Sequence, residues 1–132
     1  PYCHQGDILD PDFGVGRSCS EFAPPLLKLG PHVAGMGIKF YTGSMFPAEY
    51  RNRAFIALKG SWNRTEKSGY KVIYFPWNTV TQLPGDEIDL VTGWADAFSS
   101  WGRPVDVAVD PSGAILISDD QAGAIYKLSY GG

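Results

Sequence analysis

Three short stretches of this chain concentrate side chains suited to binding an anion or a sugar: Lys59-Gly60-Ser61-Trp62-Asn63-Arg64, Trp101-Gly102-Arg103-Pro104 and Ser118-Asp119-Asp120-Gln121. Arginine offers planar, paired donors to a carboxylate, and lysine a point charge. Tryptophan faces beside such cations suit a planar anion or a carbohydrate. The ordinary alternative is exposed loop charge with tryptophans used for packing, and composition alone favours it. Elsewhere Cys3 and Cys19 lie in one Gly/Asp/Pro-rich segment. They show neither a CxxC pair nor a metal-ligand spacing. In an exported protein they would bridge, and in the cytosol they would stay free thiols. Asn63-Arg64-Thr65 is an N-glycosylation sequon, a second pointer to export that makes Asn63 a glycosylation candidate. The disulfide is the preferred reading, with a periplasmic or secreted location.

The elements that must position these residues are short strands. Of the 132 residues, 44% are hydrophobic and 19% charged, so the chain is globular rather than disordered. Glycine and proline make up about a fifth of it, which interrupts nearly every stretch long enough for a helix. The net charge of −3, with both signs scattered, gives no footprint for nucleic acid. No apolar run is long enough for a transmembrane helix.

Residues 1–32 read as an irregular loop, punctuated too densely for regular elements and stapled by the cysteines. Residues 33–94 contain four β-type runs: Met36 to Thr42, Ala54 to Lys59, Tyr70 to Phe75 and Glu87 to Thr92. A helical turn is expected within Phe46 to Arg53. In residues 95–132 the pattern restarts with Val105 to Val109, Ala114 to Ser118 and Ala124 to Ser129. Ala54-Phe55-Ile56-Ala57 matches Ala114-Ile115-Leu116-Ile117, and Gly69-Tyr70-Lys71-Val72 is echoed by Gly123-Ala124-Ile125-Tyr126. The offsets are 60 and 54 residues, the difference being a longer loop in the first copy.

Such units are the pattern of four-stranded antiparallel β-propeller blades, an all-β fold. A β-sandwich is the rival. In a blade, the loop between second and third strands and the loop leaving the fourth share one face. That places Lys59, Trp62, Asn63, Arg64, Trp94, Trp101, Arg103, Asp119, Asp120 and Gln121 together.

Several of these motifs resemble the C-terminal part of pyrroloquinoline quinone (PQQ)-dependent sugar dehydrogenases of the glucose/sorbosone dehydrogenase type. They are Gly60-Ser61-Trp62-Asn63-Arg64 with Gly69-Tyr70-Lys71-Val72, Trp101-Gly102-Arg103-Pro104-Val105-Asp106-Val107 and Ser118-Asp119-Asp120-Gln121-Ala122-Gly123. Phe40 to Pro47, Tyr2-Cys3-His4 and Cys19-Ser20-Glu21-Phe22 fit the family too. The resemblance implies a six-bladed ring of which this chain supplies about two blades, and oxidation of an aldose by PQQ with calcium assisting. Arg103, Asn63 and Arg64 would bind the quinone. Lys59 stands where the family commonly has histidine; it could still meet a carboxylate, but cannot act as a neutral acceptor. Trp62 and Trp101 are the candidates for sugar contact.

The family's base histidine and most of its calcium ligands lie in earlier blades. Neither His4 nor His32 matches the base, so no catalytic residue is assigned. Asp7, Asp10 and Asp12 lack the glycine that an EF-hand loop needs, and no metal ligand is assigned either. A rival function is a non-catalytic carbohydrate-binding module, formed when short chains assemble with copies of themselves, for example as a trimer. Both readings leave blade edges and faces that need a partner, either missing blades or another copy. The expected native species is therefore larger than one chain; light scattering that finds a monodisperse single-chain species would favour a small self-contained sandwich instead.

Overall fold

The computed structural model describes residues 2–131. Its first element is a small hairpin, β1 (Cys3–His4) with β2 (Ile8–Leu9), antiparallel with Cys3 opposite Leu9. The opening segment is thus not wholly irregular, as the sequence suggested; two-residue strands carry no alternation to read. A 3-10 turn follows at Cys19–Glu21. The Ser18 amide donates to Glu21 Oε1 at 2.6 Å and the Ser18 hydroxyl accepts from the Ser20 amide, so this turn is capped from both sides. Cys3 and Cys19 form a disulfide. Asp10 adds order: its Oδ1 accepts the amides of Asp12 and Phe13, and its Oδ2 lies 2.7 Å from His4 Nε2.

The rest is antiparallel sheet. Strands β3 (Gly35–Phe40), β4 (Ala54–Leu58) and β5 (Lys71–Phe75) precede a two-stranded ribbon, β6 (Trp77–Asn78) and β7 (Leu83–Pro84). Then come β8 (Ile88–Val91), β9 (Pro104–Val109), β10 (Ile115–Asp119) and β11 (Ala124–Leu128). One sheet has the order β3-β4-β5-β8 and the other β9-β10-β11. The 3-10 turn at Ala48–Tyr50 sits between β3 and β4. The repeat in sequence coincides with equivalent places: the paired apolar runs lie at the second strands, β4 and β10, and the paired glycines precede the third, β5 and β11. Gly69 and Gly123 both hold positive φ, 84° and 64°, at those corners.

Alternation along the strands splits the core. Phe55 and Ala57 of β4 and Val72 of β5 join Val107, Ile115 and Ile117 of the second sheet, with Tyr41, Phe46, Tyr70 and Trp94, in one buried cluster. Leu58 of β4 with Ile73 and Phe75 of β5 point the other way, against Leu27, Leu29 and Val33 of the opening segment. Burial on both faces explains why Ala54–Leu58 and Lys71–Phe75 read as nearly continuous apolar runs. Tyr41 pins the sheets together: its hydroxyl donates to Gly113 O at 2.8 Å and accepts the Phe46 amide at 3.0 Å, and its ring is wholly buried. Strand β3 is the exception, with Met36, Ile38 and Phe40 all more than half exposed.

The first strands of the two sheets meet closely. β9 packs on β3 and β4, and Gly37 of β3 faces Asp106 of β9. A Cβ at Gly37 would lie 2.7 Å from the Asp106 Cα, so backbone would have to move to admit it. Gly37→Ala is expected to cost about 1–3 kcal/mol in urea unfolding. Gly30→Ala, where an added Cβ meets nothing within 4 Å, should leave the midpoint nearly unchanged.

Candidate functional site

The loop from 60 to 69 begins where β4 ends. The amides of Lys59 and Gly60 donate to Ala34 O and Val33 O at 3.0 and 2.8 Å, which fixes the exit direction. The loop is then pinched shut. The Ser61 amide donates to Ser68 O at 2.9 Å, the Ser68 amide to Ser61 Oγ at 3.1 Å, and the Tyr70 hydroxyl to Ser61 O. The loop from 94 to 103 turns on Asp96, whose Oδ1 accepts the amides of Phe98 and Ser99 at 2.8 and 2.7 Å. The Lys67 amide donates to Ala97 O at 2.7 Å, so the two loops are joined.

Asp119 organises the third stretch. It is 3% exposed, and its Oδ1 accepts the amides of Arg103, Gln121 and Ala122, each at 2.9 Å. The Tyr126 hydroxyl donates to Oδ2 at 3.1 Å. Burial pushes this carboxyl up, but the amides of Ala122 and Arg103 with the Tyr126 hydroxyl and Gln121 amide outweigh it and hold it below the usual range.

Asp120, next in the chain, takes the charges. Lys59 Nζ donates to its Oδ2 at 2.6 Å and Arg103 Nε to its Oδ1 at 3.0 Å. The Lys59 ammonium leads the causes that lower its carboxyl. The Gln121 side-chain amide donates to Ser100 O at 2.9 Å, closing the arc back onto the second loop.

The structure therefore brings Lys59 and Arg103 together around one carboxylate. Trp101 stands beside them in chain, half exposed, with its indole N–H donated to Gly93 O at 2.7 Å; only its ring is free for a ligand. Trp62, Asn63 and Arg64 occupy the exposed arc of the 60–69 loop, Trp62 at 86% exposure, and among the described residues no hydrogen bond or ion pair ties them to Arg103. Trp94 is corrected: it is 6% exposed and packs edge-on against Tyr126, so it belongs to the core. Gly102 makes room for it, since a Cβ there would press on Trp94 and on Asp119. Two roles went unread in the sequence, the Asp119 knot and the Asp120 bridge. An Asp opening the Asp-Asp-Gln-Ala-Gly corner is a signal for the first, because such an Asp accepts amides two and three residues on. Nothing local signals the second. Among the described residues no cluster of three or more His, Cys, Asp or Glu side chains could hold a metal ion. No helix among them is long and apolar enough to cross a membrane.

Fold and site define an all-β protein of antiparallel sheets that presents a cationic, tryptophan-bearing loop face. Residues 14–131 match the model of the TrAA12-like family, and the chain belongs to that family. An uncharacterised protein of Borreliella burgdorferi is 38% identical over 112 residues, which cover 84% of this chain and 30% of that protein. The holo form of the pyranose dehydrogenase PQQ domain from Coprinopsis cinerea superposes with a TM-score of 0.62 at 25% identity, covering 84% of this chain and 30% of that one. A calcium structure of a Trichoderma reesei enzyme of family AA12 gives the same TM-score at 24% identity, over 89% of this chain and 30% of that one. The chain thus spans less than a third of the length of these relatives. The resemblance carried by the loop motifs agrees with the family match and with the Coprinopsis cinerea PQQ domain.

Because Asp119 is charged and buried against four donors, it stabilises the fold above its unfolded pKa of about 3.8, and that contribution fades as pH falls through its lower folded value. Asp119→Ala should cost at least about 2 kcal/mol at pH 7, since three amides lose their acceptor. The difference from wild type should shrink at pH 3, read as urea midpoints at the two values.

Proposed function

We propose that this chain is the part of a PQQ-dependent sugar dehydrogenase that supplies the cationic side of the quinone-binding face. In this reading its two sheets are neighbouring blades of a six-bladed propeller, one complete with four strands and one with three. The observation that carries the proposal is the convergence of Lys59 and Arg103, from different sheets, on one carboxylate. A site that already accepts a carboxylate has the donors that a tricarboxylated quinone needs. Asp120 engages only Nε of Arg103; among the described residues its terminal Nη atoms make no hydrogen bond, and the side chain is 38% exposed. Those atoms form the fork that a carboxylate takes end-on.

When bound, PQQ would supply a two-electron acceptor for oxidation of a sugar at its anomeric carbon, and calcium a Lewis acid. Arg103 and Lys59 would hold carboxylates, and Asn63 and Arg64 of the neighbouring loop would add donors. The ring faces of Trp62 and Trp101 would receive the sugar. The proton-accepting base and the calcium ligands come from other parts of the enzyme. The disulfide supports an oxidising, exported location.

A second reading has one observation in its favour. The outer face of the first sheet leaves Ile38, Phe40 and Leu26 more than half exposed along an apolar groove that Leu27, Ile56, Phe75 and Trp77 help to line. Copies of the chain covering one another there would make a carbohydrate-binding module with no redox role.

Arg103 decides between clamp and packing residue. Arg103→Lys keeps the charge and loses the fork, so PQQ should bind more weakly; Arg103→Ala should weaken it further, by about 2–5 kcal/mol where the pair is desolvated. Titration followed by absorbance on folded protein reads this directly, and unchanged affinity would overturn the quinone-clamp assignment.

A further inference from the structure

The cations of the loop face are tied across the two sheets by a single side chain. Lys59 follows β4 of the first sheet, whereas Arg103 and Asp120 flank β9 and β10 of the second. Among the ion pairs of the described residues, only Lys59–Asp120 connects the two sheets. Arg103 is held at three points: its amide by Asp119, its carbonyl by the Asp120 amide at 3.3 Å, and its Nε by Asp120 Oδ1. A guanidinium presents two edges to a carboxylate, one through Nε and one through its two terminal nitrogens. With the first edge occupied, only the second remains.

We propose that Asp120 is a positioning residue for an incoming carboxylate: it turns the terminal edge of Arg103 outward and keeps Lys59 beside it. This deepens the quinone-clamp reading and rests on it for the identity of the ligand. The opposite role would be a competitor sitting in the ligand's place. The contacts argue against that, because Asp120 takes Nε and leaves the terminal fork open.

The test uses the full chain with two probes, PQQ and citrate, each followed by calorimetry at several salt concentrations. Asp120→Asn should weaken both by on the order of tenfold, although the cluster becomes more positive. Asp120→Glu should recover most of the loss, and Asp120→Ser serves if the Asn variant does not fold. The salt dependence of whatever binding remains should steepen in Asp120→Asn, since both cations then stand without their counter-ion. A merely structural residue would move neither the rescue nor the salt slope. Binding that tightens, or does not change, in folded Asp120→Asn overturns the proposal. If the wild type binds citrate and not PQQ, the quinone reading falls while the Asp120 variants still decide the positioning role through citrate. If it binds neither, both fall.

Discussion

A buried carboxylate that must stay charged governs the geometry of the loop face. Asp119 is surrounded by three backbone amides and a phenol, all of which donate to it. The Arg103 amide is one of the three, so the start of β9 and the end of β10 are fastened at a single atom. The ladder shifts register there, between Ser118 and Asp119, where the Asp119 side chain takes the Arg103 amide and the Asp120 amide takes the Arg103 carbonyl. Asp120 then points where Asp119 leaves it. The exposed pairing with Lys59 and Arg103 is weak on its own terms, as surface ion pairs are. It gains definition from the rigid knot beneath it.

Beneath the loops, the two sheets are joined by apolar burial and, among the described residues, fastened by the Tyr41 hydroxyl. β4 and β5 are covered on both sides, and this gives the first sheet a fixed register: a slip of one residue would exchange two sets of buried side chains. The ends of β4 and β10, which carry Lys59 and the two aspartates, inherit that fixity. Loop residues farther from those ends, such as Trp62 and Asn63, do not.

The seven principal strands were legible because each has apolar alternation or a β-rich run bounded by turn residues, and each forms within about two residues of its expected limits. The ribbons Cys3–His4 with Ile8–Leu9 and Trp77–Asn78 with Leu83–Pro84 were not, since two-residue strands have no period. Lys59 and Arg103 were recognisable as members of one face from loop order alone. Their shared partner was not: Asp120 lies 61 residues from Lys59 and 17 from Arg103, separations with no local signature. Trp94 was misplaced for a related reason. Loop order assigns a residue to an end of the sheet, but the missing side chain of Gly102 turns that indole inward.

The closure of the 60–69 loop has a consequence for substitutions within it. Gly60 and Gly69 face each other at its neck so closely that a Cβ on Gly69 would lie 2.7 Å from the Gly60 Cα, and both hold positive φ. The bonds between Ser61 and Ser68 lock that neck, so the segment has the form of an Ω-loop whose ends are fixed independently of its contents. Lengthening such a loop costs little, about 0.6 kcal/mol per doubling. The arc bearing Trp62, Asn63 and Arg64 is thus carried by that neck and by the Lys67–Ala97 bond, so a side chain on it can change without disturbing the register of the strands on either side.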